Sequence, residues 1–259
     1  MSQPVAPRND WPDGIARHIL PRCDSTNAEA LRLAPGLSGA AWIMAREQTS
    51  GRGRRGRGWS MQAGNFAATL LMRPTGGPAD AARLSFVAAL ALHDALRDVA
   101  GPAARLSIKW PNDVLLNGGK VAGILLESGG SGARLDALAV GIGVNLIAAP
   151  LPEALEPGAM PAVSVAGETG LTVTPEDFLD LLAPAFDRWL RQMTAYGFAP
   201  IRTAWLARAA HLGGTLTART GKAELTGTFE TIDDNGALIL TTTQGRQAIP
   251  AADIYFAES

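Results

Sequence analysis

Residues 105–127 read RLSIKWPNDVLLNGGKVAGILLE. Three short strand-like runs lie within them, Arg105–Trp110, Val114–Leu116 and Val121–Glu127. The Asn117-Gly118-Gly119 step between the last two has the chemistry of a hairpin turn. Strands joined in this way are antiparallel neighbours, so the stretch predicts an antiparallel sheet, extended by a fourth run at Leu135–Leu146. Pro111 fixes a sharp change of direction. It leaves Asn112 and Asp113 at a strand start, where an amide and a carboxylate can face a cleft, and Lys120 just past the turn can point into the same space.

Working outward, the pattern turns helical. Over Asp80–Ala100, apolar residues from Leu84 to Val99 recur at three- and four-residue steps. A second long helix is predicted from Thr174, with Thr as cap, Pro175 at the first position, and Pro184 expected to kink it. A third is expected over Ile201–Ala210. Nearer the start, Ile15–Leu20 and Ala40–Ala45 read as strands around a helix over Ala28–Ala34, for which Thr26 and Glu29 have capping-box spacing. Asn65–Met72 is a further strand. Long helices beside clustered strands predict an α+β body over residues 1–210. From 211 to 259 the pattern changes to short strands at 214–219, 222–230, 237–243 and 246–250. Turns at Thr220-Gly221, Asp234-Asn235-Gly236 and Gln244-Gly245 separate them, which predicts a small β-barrel.

The 259 residues carry 23 basic and 24 acidic side chains, so no global field directs the chain to nucleic acid or to an anionic membrane. The 47% hydrophobic content excludes a disordered chain. Cys23 stands alone, which excludes an intrachain disulfide, and three scattered histidines form no metal-ligand spacing. No metal site is expected in the protein. Met1–Asp10 has no apolar core of a signal peptide, and the run Leu138–Pro152 is broken by glycines, Asn145 and Pro150. A cytoplasmic protein without membrane association is expected.

Between two predicted strands lies Gly51-Arg52-Gly53-Arg54-Arg55-Gly56-Arg57-Gly58, followed by Trp59. It has no apolar residue to bury, and its four charges repel. Ordering it costs on the order of 10 kcal/mol of backbone entropy, so it is expected to be mobile until something anionic offsets that cost. Arginine forks and exposed glycine N–H groups match phosphate or carboxylate oxygens. A solvated turn and a nucleic-acid arm are the other readings of an isolated run of this kind. The internal position favours a loop that closes over a small anionic ligand. In Gly141-Ile142-Gly143-Val144-Asn145, two glycines in an apolar strand suggest close approach of a ligand to the backbone.

Together, Ser25-Thr26-Asn27, Gln48 with Gly51–Arg57, Lys109–Asp113, Lys120–Leu125 and Gly141–Asn145 stand in the order seen in biotin–protein ligases. The sequence resembles that family over residues 15–147, and the small C-terminal barrel fits it. The resemblance implies a mixed, largely antiparallel sheet packed on helices, of class II synthetase type, with an SH3-like C-terminal barrel. It implies activation of biotin by ATP, with Mg²⁺, as biotinyl-5′-AMP. Biotin is then passed to a lysine of a biotin carboxyl carrier protein by a monomer or homodimer.

Carried over by position, the resemblance gives Ser25, Thr26, Asn27 and Gln48 to the ureido end of biotin. Hydroxyls and amides supply the donors and acceptors that such a ring needs. Gly51, Arg52, Gly53 and Arg54 would close over biotin and the adenylate phosphate, and Gly123, Gly141 and Gly143 would line the pocket. Lys120 would meet the biotin carboxylate and the α-phosphate. Arg54, Arg55, Arg57, Trp59, Asn112, Lys120 and Asn145 would hold the nucleotide side. Lys120, Arg52 and Asp113 would be catalytic, with Asp113 orienting or deprotonating the incoming amine.

Two departures from the family pattern stand out. Some relatives carry an N-terminal helix-turn-helix that this sequence does not show, so DNA binding is not expected. Gly58 stands where some members have lysine, which bears on loop closure or acceptor docking. Two rival functions are a lipoate or octanoate ligase or transferase and a nucleic-acid-binding module. The transferases use a cysteine, and Cys23 has no histidine placed to activate it.

Overall fold

The computed structural model describes residues 10–74, 76–130, 135–156, 159–220 and 223–256. Apart from Asp10, the stretch read against a signal peptide lies outside them, as do Gly221 and Lys222 of the expected turn and strand start.

Strands β1 (Ala16–Leu20), β2 (Ala41–Ala45), β3 (Phe66–Met72), β4 (Leu106–Lys109), β5 (Asp113–Leu116), β6 (Gly119–Gly129) and β7 (Ala137–Val144) form one sheet in the order β1-β2-β3-β7-β6-β5-β4. Only β1 and β2 run parallel; the other five pairings are antiparallel, as the hairpin chemistry predicts. Alternation gives the sheet two faces. One carries Trp42, Met44, Phe66, Ala68, Leu70, Val140, Ile142 and Val144 into the main core. Helices α2 (Pro78–Ala100), α4 (Pro175–Tyr196) and α5 (Phe198–Leu206) supply the other side of that core. The opposite face is only partly covered. Helix α1 (Thr26–Leu33) packs there through Ala30, over Ile43, Leu71 and Ala139. The rest of that face is left to the site.

Several boundaries differ from expectation. Ser25 caps α1: its backbone is extended and its hydroxyl accepts from the Ala28 N–H at 3.5 Å, while Thr26 is the first helical residue. Pro184 lies inside helix α4, as the sequence pattern places it. Helix α5 starts and stops earlier than Ile201–Ala210. Its C-terminal continuation turns to the sheet edge, where the Ile108 N–H donates to Arg208 O and the Ala210 N–H to Ile108 O, each at 2.8 Å. Those edge bonds replace the last helical turn. The short helix α3 (Val165–Thr169), capped by Ser164 and ended by left-handed Gly170, was not legible as a helix.

The C-terminal region forms a second, SH3-like sheet of β8 (Thr215–Arg219), β9 (Glu224–Ile232), β10 (Leu238–Thr242), β11 (Gly245–Ile249) and β12 (Asp253–Phe256). Its order is β11-β10-β9-β8-β12, antiparallel throughout. The fifth strand, β12, is an addition to the four expected. Trp110 Nε1 donates to Gly236 O at 3.0 Å and Arg202 donates to Ile232 O, tying this sheet to the body. No helix of the described residues is long and apolar enough to cross a membrane.

Candidate active site

Register places the site. Lys109 pairs with Asp113, Asp113 with Gly123, Gly123 with Gly143, and Gly143 with Ala67. These five residues form one row across four pairings and share one face of the sheet. In the next row of that face, Leu125, Gly141, Thr69 and Ile43 are partners. With Gly123 and Gly143 adjacent and side-chain-free, the sheet has a trough there. The Trp59 indole lies against its floor: a Cβ on Gly143 would meet Trp59 Cε2 at 2.5 Å, and one on Gly123 would meet Trp59 Cζ3 at 3.3 Å.

Strict alternation would turn Lys120 away from Gly123. A register shift between Val114 and Leu115 corrects this, because Leu115 pairs with Lys120 while Val114 pairs with Ala122. Such an irregularity re-aims a side chain. Lys120 Nζ therefore reaches Asp113 Oδ1 at 2.8 Å, beside the trough, with the Trp59 ring 5.8 Å from the ammonium. Asp113 Oδ1 is buried, and the Lys120 ammonium is its ion-pair partner. Asn112, just before β5, is held by the neighbouring strand β6: its Nδ2 donates to Ile124 O at 2.7 Å, and its Oδ1 accepts from Arg54 at 3.5 Å.

At the other end, α1 delivers its first turn to the sheet. Gln48 Oε1 accepts from the Thr26 N–H at 2.8 Å and from its hydroxyl at 3.1 Å. Asn27 donates to Glu127 Oε2 at 2.8 Å and to Leu125 O at 3.2 Å. Its Oδ1 accepts from the Thr69 hydroxyl at 2.7 Å. Ser25, Thr26 and Asn27 are all buried. Gly141 admits Asn27, since a Cβ at 141 would stand 2.2 Å from Asn27 Oδ1.

The arginine loop pairs with the protein's own carboxylates. Arg52 Nη2 lies 3.2 Å from Glu127 Oε1. Arg55 and Arg57 each reach Asp253 Oδ2 at 2.8 Å, and Arg57 also pairs with Glu156 at 3.1 Å. Arg54 donates to Ala252 O at 3.3 Å. Burial pulls its guanidinium pKa below the usual arginine value, against the pull of Asp253 and Asp113. Gly53 and Gly51 serve the backbone: the Gly53 N–H donates to Arg57 O at 2.7 Å, and Gly51 O accepts from the Trp59 N–H at 2.9 Å. Both Asp253 and Ala252 belong to the C-terminal segment, so that segment takes part in closing the loop.

Asn145 is buried and its side-chain amide donates to Val163 O at 3.1 Å, so it braces the backbone there. Four further residues of this region escaped the sequence reading. Thr69 is a lone hydroxyl in an apolar strand, a signal that was present. Glu127 ends an apolar run. Asn65 holds the chain beyond β7 through Ile147 N at 2.9 Å, Ala148 N at 3.1 Å and Ala148 O at 2.7 Å. Asp253 gives no local signal at all.

Comparison with known proteins gives the family. Residues 20–145 match the biotin/lipoate A/B protein ligase family, and residues 211–257 match the biotin protein ligase C-terminal domain. The biotin–[acetyl-CoA-carboxylase] ligase of Paracoccus denitrificans is 70% identical over 238 residues, 92% of this chain and 99% of that one. The chain belongs to the biotin protein ligase family. The biotin–[acetyl-CoA-carboxylase] ligase of Mycobacterium tuberculosis is 31% identical over 91% of this chain and 87% of that one. Among solved structures, the biotin protein ligase from Aquifex aeolicus in complex with biotin and ATP superimposes with a TM-score of 0.80. It is 26% identical, with 93% of this chain and 99% of that chain covered.

Proposed function

We propose that the chain is an ATP-dependent biotin–[acetyl-CoA-carboxylase] ligase, which joins biotin to AMP and then transfers it to a lysine of a biotin carboxyl carrier protein. The observation that carries the reading is the Lys120–Asp113 pair beside a glycine-floored trough, with the arginine loop at one side and the Thr26–Gln48–Asn27 network at the other. The ureido ring lies toward Ser25, Thr26, Asn27 and Gln48, and the acyl chain runs over the layer that Trp59 and Asn27 form on Gly123, Gly141 and Gly143. Arg54, Arg55, Arg57, Trp59, Asn112 and Asn145 frame the nucleotide side, and Arg52, paired with the Glu127 that holds Asn27, closes on the biotin end.

Attack of a carboxylate on the α-phosphorus brings anions together, so the cations that line their meeting point lower the barrier as charge builds up. Lys120 exchanges Asp113 for the biotin carboxylate and the α-phosphate. Asp113, thus released, faces the incoming amine in the second step, where alignment and removal of a proton suffice. The nucleotide would enter as its magnesium complex, in which the metal would offset phosphate charge while Lys120 and the loop arginines hold the phosphates.

A cysteine-dependent acyl transferase is the less favoured reading. Burial, with Asp24 and Glu29 nearby, pushes the Cys23 thiol up to about 11, the reverse of what a nucleophile needs. The test is biotin-dependent exchange of pyrophosphate into ATP. It is expected in the wild type and abolished in Lys120→Ala and Arg54→Ala; a folded wild type without exchange overturns the reading.

A further inference from the structure

Lys109 stands at the β4 end of the row that runs through Asp113, Gly123 and Gly143, directly opposite Asp113. Cross-strand partners share a face, so its side chain leaves the sheet on the side of the trough. Most cations around it have a carboxylate: Lys120 has Asp113, Arg52 has Glu127, Arg57 has Glu156, and Arg54, Arg55 and Arg57 all draw on Asp253. Among the described residues, Lys109 has neither a hydrogen bond to its ammonium nor an ion pair.

An aromatic ring holds it. Lys109 Nζ lies 5.2 Å from the centroid of Phe256 in β12, and that ring stacks on His211 at 3.9 Å with planes 18° apart. His211 is fixed in turn by a left-handed backbone (φ 58°) and by its carbonyl, which accepts from the Gly214 N–H at 2.9 Å. The C-terminal sheet thus fixes where this charge sits. Burial pulls the Lys109 pKa below the usual lysine value, with Asp113 opposing and Lys120 reinforcing the shift. A ring face is a weak substitute for an anion. A half-buried ammonium with no carboxylate paired to it, beside a cleft that handles phosphates, is a place for an anionic ligand.

We propose that Lys109 binds the pyrophosphate that leaves in the adenylation step, a subsite that rests on the ligase reading above. In that step a biotin carboxylate oxygen bonds to the α-phosphorus. The bond from that phosphorus to the oxygen bridging to the β-phosphate breaks, and its electron pair departs with pyrophosphate; no proton moves. Lys109 offsets the charge gained by the leaving group, while Lys120 serves the centre under attack. The second half-reaction releases no pyrophosphate, so Lys109 has no part in it.

That asymmetry gives the test. The full-length Lys109→Met, Lys109→Arg and Phe256→Leu proteins are compared with wild type in two assays: exchange of inorganic pyrophosphate into ATP, and transfer from preformed biotinyl-5′-AMP to a carrier protein. Loss of one well-aimed cation is worth about 100-fold in such a site. Lys109→Met is therefore expected to slow exchange by about that factor and to raise KM for pyrophosphate, with transfer changed less than about 2-fold. Lys109→Arg retains most of the exchange, and Phe256→Leu, which keeps the charge but loosens it, falls between. Equal losses in both assays, or undiminished exchange in Lys109→Met, overturn the proposal. If Lys109→Met does not fold, Lys109→Gln carries the same comparison. Absence of exchange in wild type strikes the ligase reading instead.

Discussion

Gly143 lies so close beneath Trp59 that a Cβ on residue 143 would stand 2.5 Å from the indole Cε2. The indole cannot shift without leaving the trough, so Gly143→Ala displaces it. Overpacking of this kind costs about 1–3 kcal/mol. If that cost falls on the bound state, biotin affinity drops by about 10- to 100-fold while the fold persists. Calorimetric titration with biotin, beside a thermal melt, measures both; unchanged affinity refutes the steric account.

Asp253 ties two loop arginines to the C-terminal sheet from a position only 13% exposed at its side chain. Asp253→Asn leaves the shape but removes the charge. The Arg54–Arg57 segment should then open more often, and trypsin should cut it several-fold faster at low salt. Because ion pairs that reach solvent are screened, wild type and variant should converge as salt is raised. A cleavage rate that does not change would show that the loop is held by other contacts.

Asn65 is 2% exposed, and its amide satisfies three backbone groups at Ile147 and Ala148. Asn65→Ala leaves those groups without partners, at a cost of about 1–3 kcal/mol for each that stays dry. The expected outcome is a lower denaturant midpoint with an unchanged slope. KM for ATP should rise more than KM for biotin, since the chain that Asn65 holds continues from the Asn145 side of the site.

Asp94 on α2 ties that helix to α4 and to the segment after α5: it accepts from Trp189 Nε1 at 2.9 Å and lies 3.9 Å from Arg208 Nη2 and 3.6 Å from His93 Nδ1. Burial pushes its pKa up, but His93, Trp189 and Arg208 together outweigh that and hold it below the usual aspartate value. A pKa depressed by folding stabilises the native state above the unfolded value of about 3.9 and ceases to do so as pH falls through the native one. Asp94→Asn should thus be destabilised at pH 7, and its deficit should shrink below about pH 4. Urea unfolding at pH 7, 5 and 3.5 decides this. A deficit that is constant across the three would mean that packing, not charge, is at stake.

The sheet was legible because its strands announce themselves through local chemistry: Asn117-Gly118-Gly119 makes the hairpin, and apolar runs flank it. The glycine positions and Lys120 were legible as candidates, but not the irregularity near Val114 that brings Lys120 onto the open face. Alternation counted along β6 alone would have sent it the other way. Strand β12 and Asp253 were invisible for a different reason. Their meaning lies in pairing with β8 and with arginines about 200 residues earlier in the chain, and no local pattern encodes a contact of that span. The cap of α1 was misplaced by one residue because Thr26 and Ser25 both suit the role. Gln48 settles the matter by engaging the Thr26 hydroxyl.

The trough floor already consists of residues that have nothing left to remove. No substitution at 123 or 143 can enlarge the recess, and nearly all of them shrink it. Redesign for a bulkier acyl group must therefore begin above the floor, where trimming the Trp59 indole creates room without disturbing the sheet beneath.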